Sequence, residues 1–130
     1  METQYPAKRR PKYLNLLKIR EPLPAIISIL HRISGVLLFF PGIPLLLYGL
    51  QLLLASPESF AYLQSILAHP LSKLLLIFTI WLFLHHFFAG IRHLGLDMHY
   101  GLQLQQARFS SKLVLIFNVI LTVLMGIWLW

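Results

Sequence analysis

Three long apolar runs constrain this chain more than any other feature. They extend from about residue 25 to 54, from about 71 to 96 and from about 113 to 130. Each is near or above the ~20 residues that carry an α-helix across a hydrocarbon core. The fold expected is therefore all-α, an integral membrane bundle of three transmembrane helices. Composition agrees: 58% of the residues are hydrophobic, only four of 130 are acidic, and the mean hydropathy is +0.74. Soluble domains of this length seldom show such a profile.

The formal net charge of +7 invites a nucleic-acid reading, which the distribution of charge excludes. Six of the eleven Lys and Arg residues (Lys8, Arg9, Arg10, Lys12, Lys18 and Arg20) crowd into a short segment just before the first apolar run. A positive-inside anchor or a contact with anionic lipid puts them there. The chain has no cysteine, so a disulfide, a thiolate zinc site and a cysteine-ligated iron–sulfur cluster are all excluded. Any metal must be held by histidine or carboxylate. A basic N-terminus suggests a signal peptide, but the first apolar run continues far past Gly35 without a small-residue cleavage site, so none is expected.

Pro41, Gly42 and Pro44 interrupt the first run. In a bilayer, neighbouring helices can satisfy the freed carbonyls, and a kink is expected rather than a stop. The connection of residues 56–70 opens Ser56-Pro57-Glu58, a capping pattern with proline at the first helical position, which suits a short interfacial helix. The second connection, from about Asp97 to Lys112, is polar. Apart from Lys73, every Lys and Arg lies before the first span, just inside it at Arg32, or around the second connection at Arg92, Arg108 and Lys112. The N-terminal segment 1–24 and the second connection are accordingly expected in the cytoplasm, and the 56–70 loop and the C-terminus on the other side. No repeat or linker divides the chain, and residues 1–130 read as one membrane-anchor domain.

Two polar stripes enter the apolar spans. Ser28, His31, Arg32 and Gly35 recur at i, i+3, i+4 and i+7, on one helix face, with the glycine allowing close approach. His86, Gly90, His93 and Asp97 recur at i, i+4, i+7 and i+11 on the second span, with Gly90 leaving a gap for a flat group. At ~1.5 Å per residue, His86 lies a little to the cytoplasmic side of the midplane and His93 roughly 10 Å nearer the cytoplasm, with His31 between them.

Plainer readings exist for each residue. Arg32, Arg92 and His93 lie near helix ends, where basic side chains snorkel to headgroups. Ser28 can bond back to a carbonyl of its own helix. His85 sits about 100° round the helix from His86 and suits a structural hydrogen bond to another helix. His69 and His99 are loop histidines with no role assigned. The aromatics of Phe39-Phe40 and Trp81–Phe83 read as lipid-facing or packing surface, and Trp128 and Trp130 as interfacial anchors. His86 stands apart, because an ionisable group well inside an apolar run is usually functional or paired.

A neutral imidazole in a helix bundle is a natural axial ligand for haem iron, and nearby Arg and His can neutralise propionates close to hydrocarbon. A quinone headgroup needs donors to its carbonyl oxygens and compensation for the charge of reduction, which Ser28 and Arg32 can supply. The chain offers one deep ligand with a clear stripe, so a bis-histidine haem requires a second subunit.

The segments SILHRISG (28–35) and HFFAGIRHLGLD (86–97), preceded by RPKYLNLLKIREPLPA (10–25), resemble the signature segments of the cytochrome b membrane-anchor subunits of succinate dehydrogenase, respiratory complex II. The pairing of H-R-x-S-G with H-x-x-x-G-x-R-H-x-x-x-D is specific, and the likeness covers nearly the whole chain. It implies a second small anchor subunit sharing a haem b and supplying its other ligand. It also implies a tethered iron–sulfur subunit and flavoprotein on the cytoplasmic face of a bacterial inner membrane, and electrons passing from succinate to ubiquinone. By the same resemblance, His86 matches the axial haem ligand, Ser28 and Arg32 match residues of the quinone site, and His31 and His93 match the propionate region. This chain carries His85 beside His86, and the stripe and the spacing to Gly90 favour His86 as ligand. Such a chain contributes a quinone site without itself oxidising succinate. Two other readings are a haem-free structural anchor and a small proton-relay subunit using His31, His86 and Asp97; the lack of deep carboxylates argues against the relay.

Overall fold

The computed structural model describes residues 20–130; Lys8, Arg9, Arg10, Lys12 and Lys18 of the basic approach segment lie outside the described residues. From there the chain is helical throughout: α1 (Leu23–Leu37), a π-helical turn (Leu38–Gly42), α2 (Ile43–Ala55), α3 (Pro57–Ala68), α4 (Pro70–Asp97) and α5 (Leu104–Leu129). Three of these stretches are long and apolar enough to cross a membrane: Leu23–Ala55, Pro70–Asp97 and Leu104–Leu129.

The first stretch does not break at its prolines. Pro41 has no N–H to give and its ring crowds the carbonyl four residues back. The chain answers by widening one turn, so that the Ile43 N–H reaches the Leu38 carbonyl, five residues away. The helix then continues into α2, whose first turn holds Pro44. At about 1.5 Å per residue the 33 residues of Leu23–Ala55 measure about 50 Å, longer than a ~30 Å hydrocarbon core, so the segment tilts or projects beyond it.

The connection at 56–70 is a helix in its own right. Ser56 caps α3 reciprocally with Ser59: the Ser59 N–H donates to Ser56 Oγ (3.2 Å) and the Ser56 N–H to Ser59 Oγ (2.9 Å). His69 caps α4, its Nδ1 accepting from the Leu71 N–H at 3.2 Å. At the other end, α5 begins at Leu104, about nine residues before the apolar run does, because Leu104-Gln105-Gln106-Ala107-Arg108 are strong helix formers although polar. The second connection thus shrinks to residues 98–103, closed by His99 (φ 66°) and Gly101 (φ 73°) in the left-handed region.

The burial pattern is the inverse of a soluble domain. Among the described residues, four apolar side chains are buried (Ile27, Leu82, Ala89 and Val114) against five polar ones (Ser34, His85, Ser111, Asn118 and Thr122), while large apolar side chains cover the outside. In lipid, apolar surface gains nothing by turning inward, so small and polar residues make the seams. Antiparallel α1, α4 and α5 share the centre, with Ile27, Ala89 and Val114 in contact there. That topology gathers Arg20, Arg32, Arg92, Arg108 and Lys112 at one end. Lys73 lies at the other, its Nζ 3.3 Å from the Trp130 carbonyl. Replacing Ser56 with alanine removes the α3 cap and should cost about 1 kcal/mol of local stability, read as faster amide hydrogen exchange over residues 57–62 with the other helices unchanged.

Candidate functional site

The first and fourth helices meet through two matching four-residue steps. His31 and Gly35 sit one turn apart on α1, and His86 and Gly90 one turn apart on α4. Because the helices run antiparallel, each histidine lies over the other helix's glycine. A Cβ at Gly35 would stand 2.9 Å from His86 Cε1 and 3.3 Å from its Nδ1, and a Cβ at Gly90 would stand 3.4 Å from His31 Nε2. The two imidazoles stack face to face in the space so created, centroids 4.2 Å apart and planes 7° from parallel. His93, two turns beyond His86, tilts against the far side of this pair, 5.1 Å from His31 at 47°.

Hydrogen bonds fix the state of His86. Its Nδ1 lies 3.0 Å from the His31 carbonyl oxygen and 3.3 Å from Ser34 Oγ, and the Ser34 hydroxyl gives its own proton to that same carbonyl at 2.9 Å. A carbonyl only accepts and the hydroxyl proton is spent, so the partners assign the ring proton to Nδ1. Nε2 is left with its lone pair, on a ring that is half-buried. The buried Nε2 of His93 has no hydrogen-bond partner.

The α1 stripe divides. His31 turns onto α4, Ser28 is half-buried one turn earlier, and Arg32 is exposed beside it. Asp97, the last residue of α4, is exposed. His85 turns the other way from His86. It is completely buried, its ring stacks on Trp81 (5.6 Å, 19°), and neither ring nitrogen makes a hydrogen bond, although it faces the backbone of Ile27. His85 thus meets another helix at the Ile27 backbone of α1, as expected of a structural histidine, and packing on Trp81 adds to that hold. Arg92 does not snorkel: its Nε donates to Ser110 Oγ at 3.1 Å and its Nη2 approaches the Ala107 carbonyl at 3.4 Å, tying α4 to α5.

Three contributors escape a reading of the sequence. Ser34 lies within the quoted signature but is fully buried as a support of His86. Asn118 is fully buried against Trp81, which turns inward rather than to lipid. Ser111 is fully buried and bonds back to the Ala107 carbonyl at 2.7 Å. The signal was present: Ala107, Ser111, Val114, Asn118, Thr122 and Gly126 form one stripe of mostly small or polar residues at helical spacing.

Comparison with known proteins gives the family of the chain. Residues 6–125 match the family described as the succinate dehydrogenase/fumarate reductase transmembrane subunit. The succinate dehydrogenase cytochrome b556 subunit of Coxiella burnetii is 41% identical over 123 residues, covering 94% of this chain and 98% of that protein. Those of Paracoccus denitrificans, 37% identical over 115 residues with 88% of each chain covered, and of Rickettsia conorii, 30% identical over 119 residues with 92% of each covered, are similar along the same length.

The two glycines differ in tolerance, and this is testable. Gly35→Ala drives a methyl into the His86 ring and should cost about 1–3 kcal/mol of helix packing, whereas Gly90→Ala meets ordinary contact and gains helix propensity. Thermal unfolding in detergent should separate the two; equal stabilities would mean that the His86 ring shifts freely.

Proposed function

The chain belongs to the succinate dehydrogenase/fumarate reductase transmembrane-subunit family, as a membrane cytochrome b subunit of succinate dehydrogenase, and from that membership we propose that it ligates a haem b through His86 and lines the ubiquinone-reduction site through Ser28 and Arg32. The observation that carries the proposal is the tether on His86. An axial imidazole must offer one neutral nitrogen and be held by the other, usually on a backbone carbonyl. The Nδ1 contact of His86 with the His31 carbonyl, reinforced by Ser34, meets that requirement and frees Nε2. A haem held there supplies a one-electron carrier within the span.

The remaining roles follow from chemistry. His31 stacks on His86 and His93 tilts against His31, and both can donate to propionate carboxylates, whose charge is costly in hydrocarbon without partners. Ser28 can hydrogen-bond a quinone oxygen, and the Arg32 guanidinium can stabilise the negative charge that reduction builds there. His31 lies flat on the face of His86 and His85 points into the core, so neither suits the opposite axial position. We assign that ligand to a second small anchor subunit. The gathering of positive charge at one end of the bundle supports a cytoplasmic N-terminus, a periplasmic C-terminus and docking of the iron–sulfur subunit and flavoprotein at that end of a bacterial inner membrane.

A haem-free anchor needs only the packing of His86 between α1 and α4 and leaves its Nε2 unused. A proton relay lacks a deep carboxylate, since Glu21, Glu58 and Asp97, the carboxylates among the described residues, all lie at or beyond helix ends. The deciding experiment is a dithionite-reduced minus oxidised spectrum of the complex purified through this chain. We expect a b-type band in wild type and in His85→Ala, and its loss in His86→Ala; a band that survives in His86→Ala and disappears in His85→Ala would transfer the ligand to His85. Arg32→Leu should keep the band while ubiquinone reduction falls on the order of 10²-fold, and normal turnover in that variant would remove Arg32 from the site.

A further inference from the structure

The third span carries one carboxamide in its apolar centre. Asn118 is completely buried, and its amide lies against the same residue of α4 at two points; the orientation its neighbours require, with oxygen facing the indole N–H, lets Oδ1 accept from Trp81 Nε1 at 3.0 Å and Nδ2 donate to the Trp81 carbonyl at 3.2 Å. Thr122, one turn on, brings its hydroxyl to 3.5 Å from the amide. The indole so held forms the platform on which the buried His85 ring stacks, and His85, with no hydrogen bond of its own, is adjacent in sequence to His86.

We propose that Asn118 is a positioning residue for His86: by clasping both the backbone and the indole of Trp81, it sets the rotation of α4 about its own axis and so aims the His86 ring between His31 and Gly35. The inference rests on the reading of His86 as a haem ligand for its consequence, though not for its geometry. Apolar packing in lipid tolerates small rotations of one helix against another, because every apolar face is equally content there. A doubly hydrogen-bonded amide does not, since rotation leaves two buried polar groups unpaired. Side chains reach ~5–6 Å from a helix axis, so a rotation of about 20° would carry His86 by about 2 Å. The seat of the ring over Gly35, where even an added Cβ would stand 2.9 Å from Cε1, and the 3.0 Å bond to the His31 carbonyl do not survive a movement of that size. Trp81, His85 and Ala89 form the inner seam of α4 at four-residue intervals, and the clasp at Trp81 therefore fixes from one side what the histidine cluster needs on the other.

The test uses the assembled complex, with the chain carrying 15N-labelled histidine, for wild type, Asn118→Leu, Trp81→Phe, the double variant and Ser111→Ala. Ser111 is buried on the same α5 stripe and controls for a general loosening of α4 against α5. Two properties are read per assembled complex: the low-spin haem resonance, and the Nδ1–H signal of His86 in the reduced, diamagnetic state. Asn118→Leu and Trp81→Phe are each expected to shift the haem resonance and to lose or broaden the Nδ1–H signal. The double variant should be no worse than the worse single, and Ser111→Ala should match wild type in both readouts. Wild-type haem and Nδ1–H signals in the two single variants, whatever their yield, overturn the proposal, as does the same loss in Ser111→Ala or failure of both single variants to assemble. If wild type holds no haem but Asn118→Leu still loses the Nδ1–H signal, the positioning role stands and the haem assignment of His86 falls.

Discussion

The meeting of the first and fourth helices depends on two imidazoles lying flat against each other between antiparallel partners. The contact exists because each ring covers a glycine on the opposite helix. Fill the space at Gly35, where an added Cβ would stand 2.9 Å from His86 Cε1, and the ring or the helix must shift; the 3.0 Å bond from His86 to the His31 carbonyl cannot stretch to follow. One device thus does two jobs. It brings α1 and α4 close enough to pack in a solvent that does not drive apolar surfaces together, and it leaves a neutral nitrogen of His86 available while consuming the other.

The same economy governs the second seam. Between α4 and α5, beside the apolar packing of Phe88 near Phe117, polar or small contacts recur: Arg92 on Ser110, Asn118 on Trp81, and Gly126 against Ile77. Each polar group finds its partner inside the protein, because the hydrocarbon around it offers none. The exposed surface is left to leucine, isoleucine and phenylalanine, whose fit to lipid requires no specificity. Sequence positions that look least remarkable in a hydropathy profile, a serine or an asparagine inside an apolar run, therefore carry most of the information about how the helices are arranged.

That contrast explains what can be read from the sequence. The three spans and the two histidine stripes are legible because they depend on length and on helical spacing within a single segment. The capping of α3 by Ser56 is legible for the same reason. What is hidden is relational. Nothing in the α5 sequence says that Asn118 will meet Trp81, and nothing in His85 says that it will turn to the core and stack on Trp81. The start of α5 at Leu104 is hidden differently, since hydropathy marks where a helix enters lipid and is silent about polar turns that precede it. Pro41 shows the limit of a local rule: the sequence announces a disturbance, but its resolution as a widened turn instead of a break depends on the apolar helix continuing on both sides.

The six-residue link between α4 and α5, with Arg92 already bridged to Ser110 across it, has a consequence for biogenesis. These two helices are neighbours in the chain and close on each other with little loop entropy to overcome, so they can enter the bilayer and pair as a hairpin. The histidine cluster is different, since the bond that fixes His86 spans 55 positions of sequence and waits for the first helix to dock. His86 is therefore the last part of the chain to reach its final setting, and in a newly inserted chain its imidazole stays untethered until the first helix has docked.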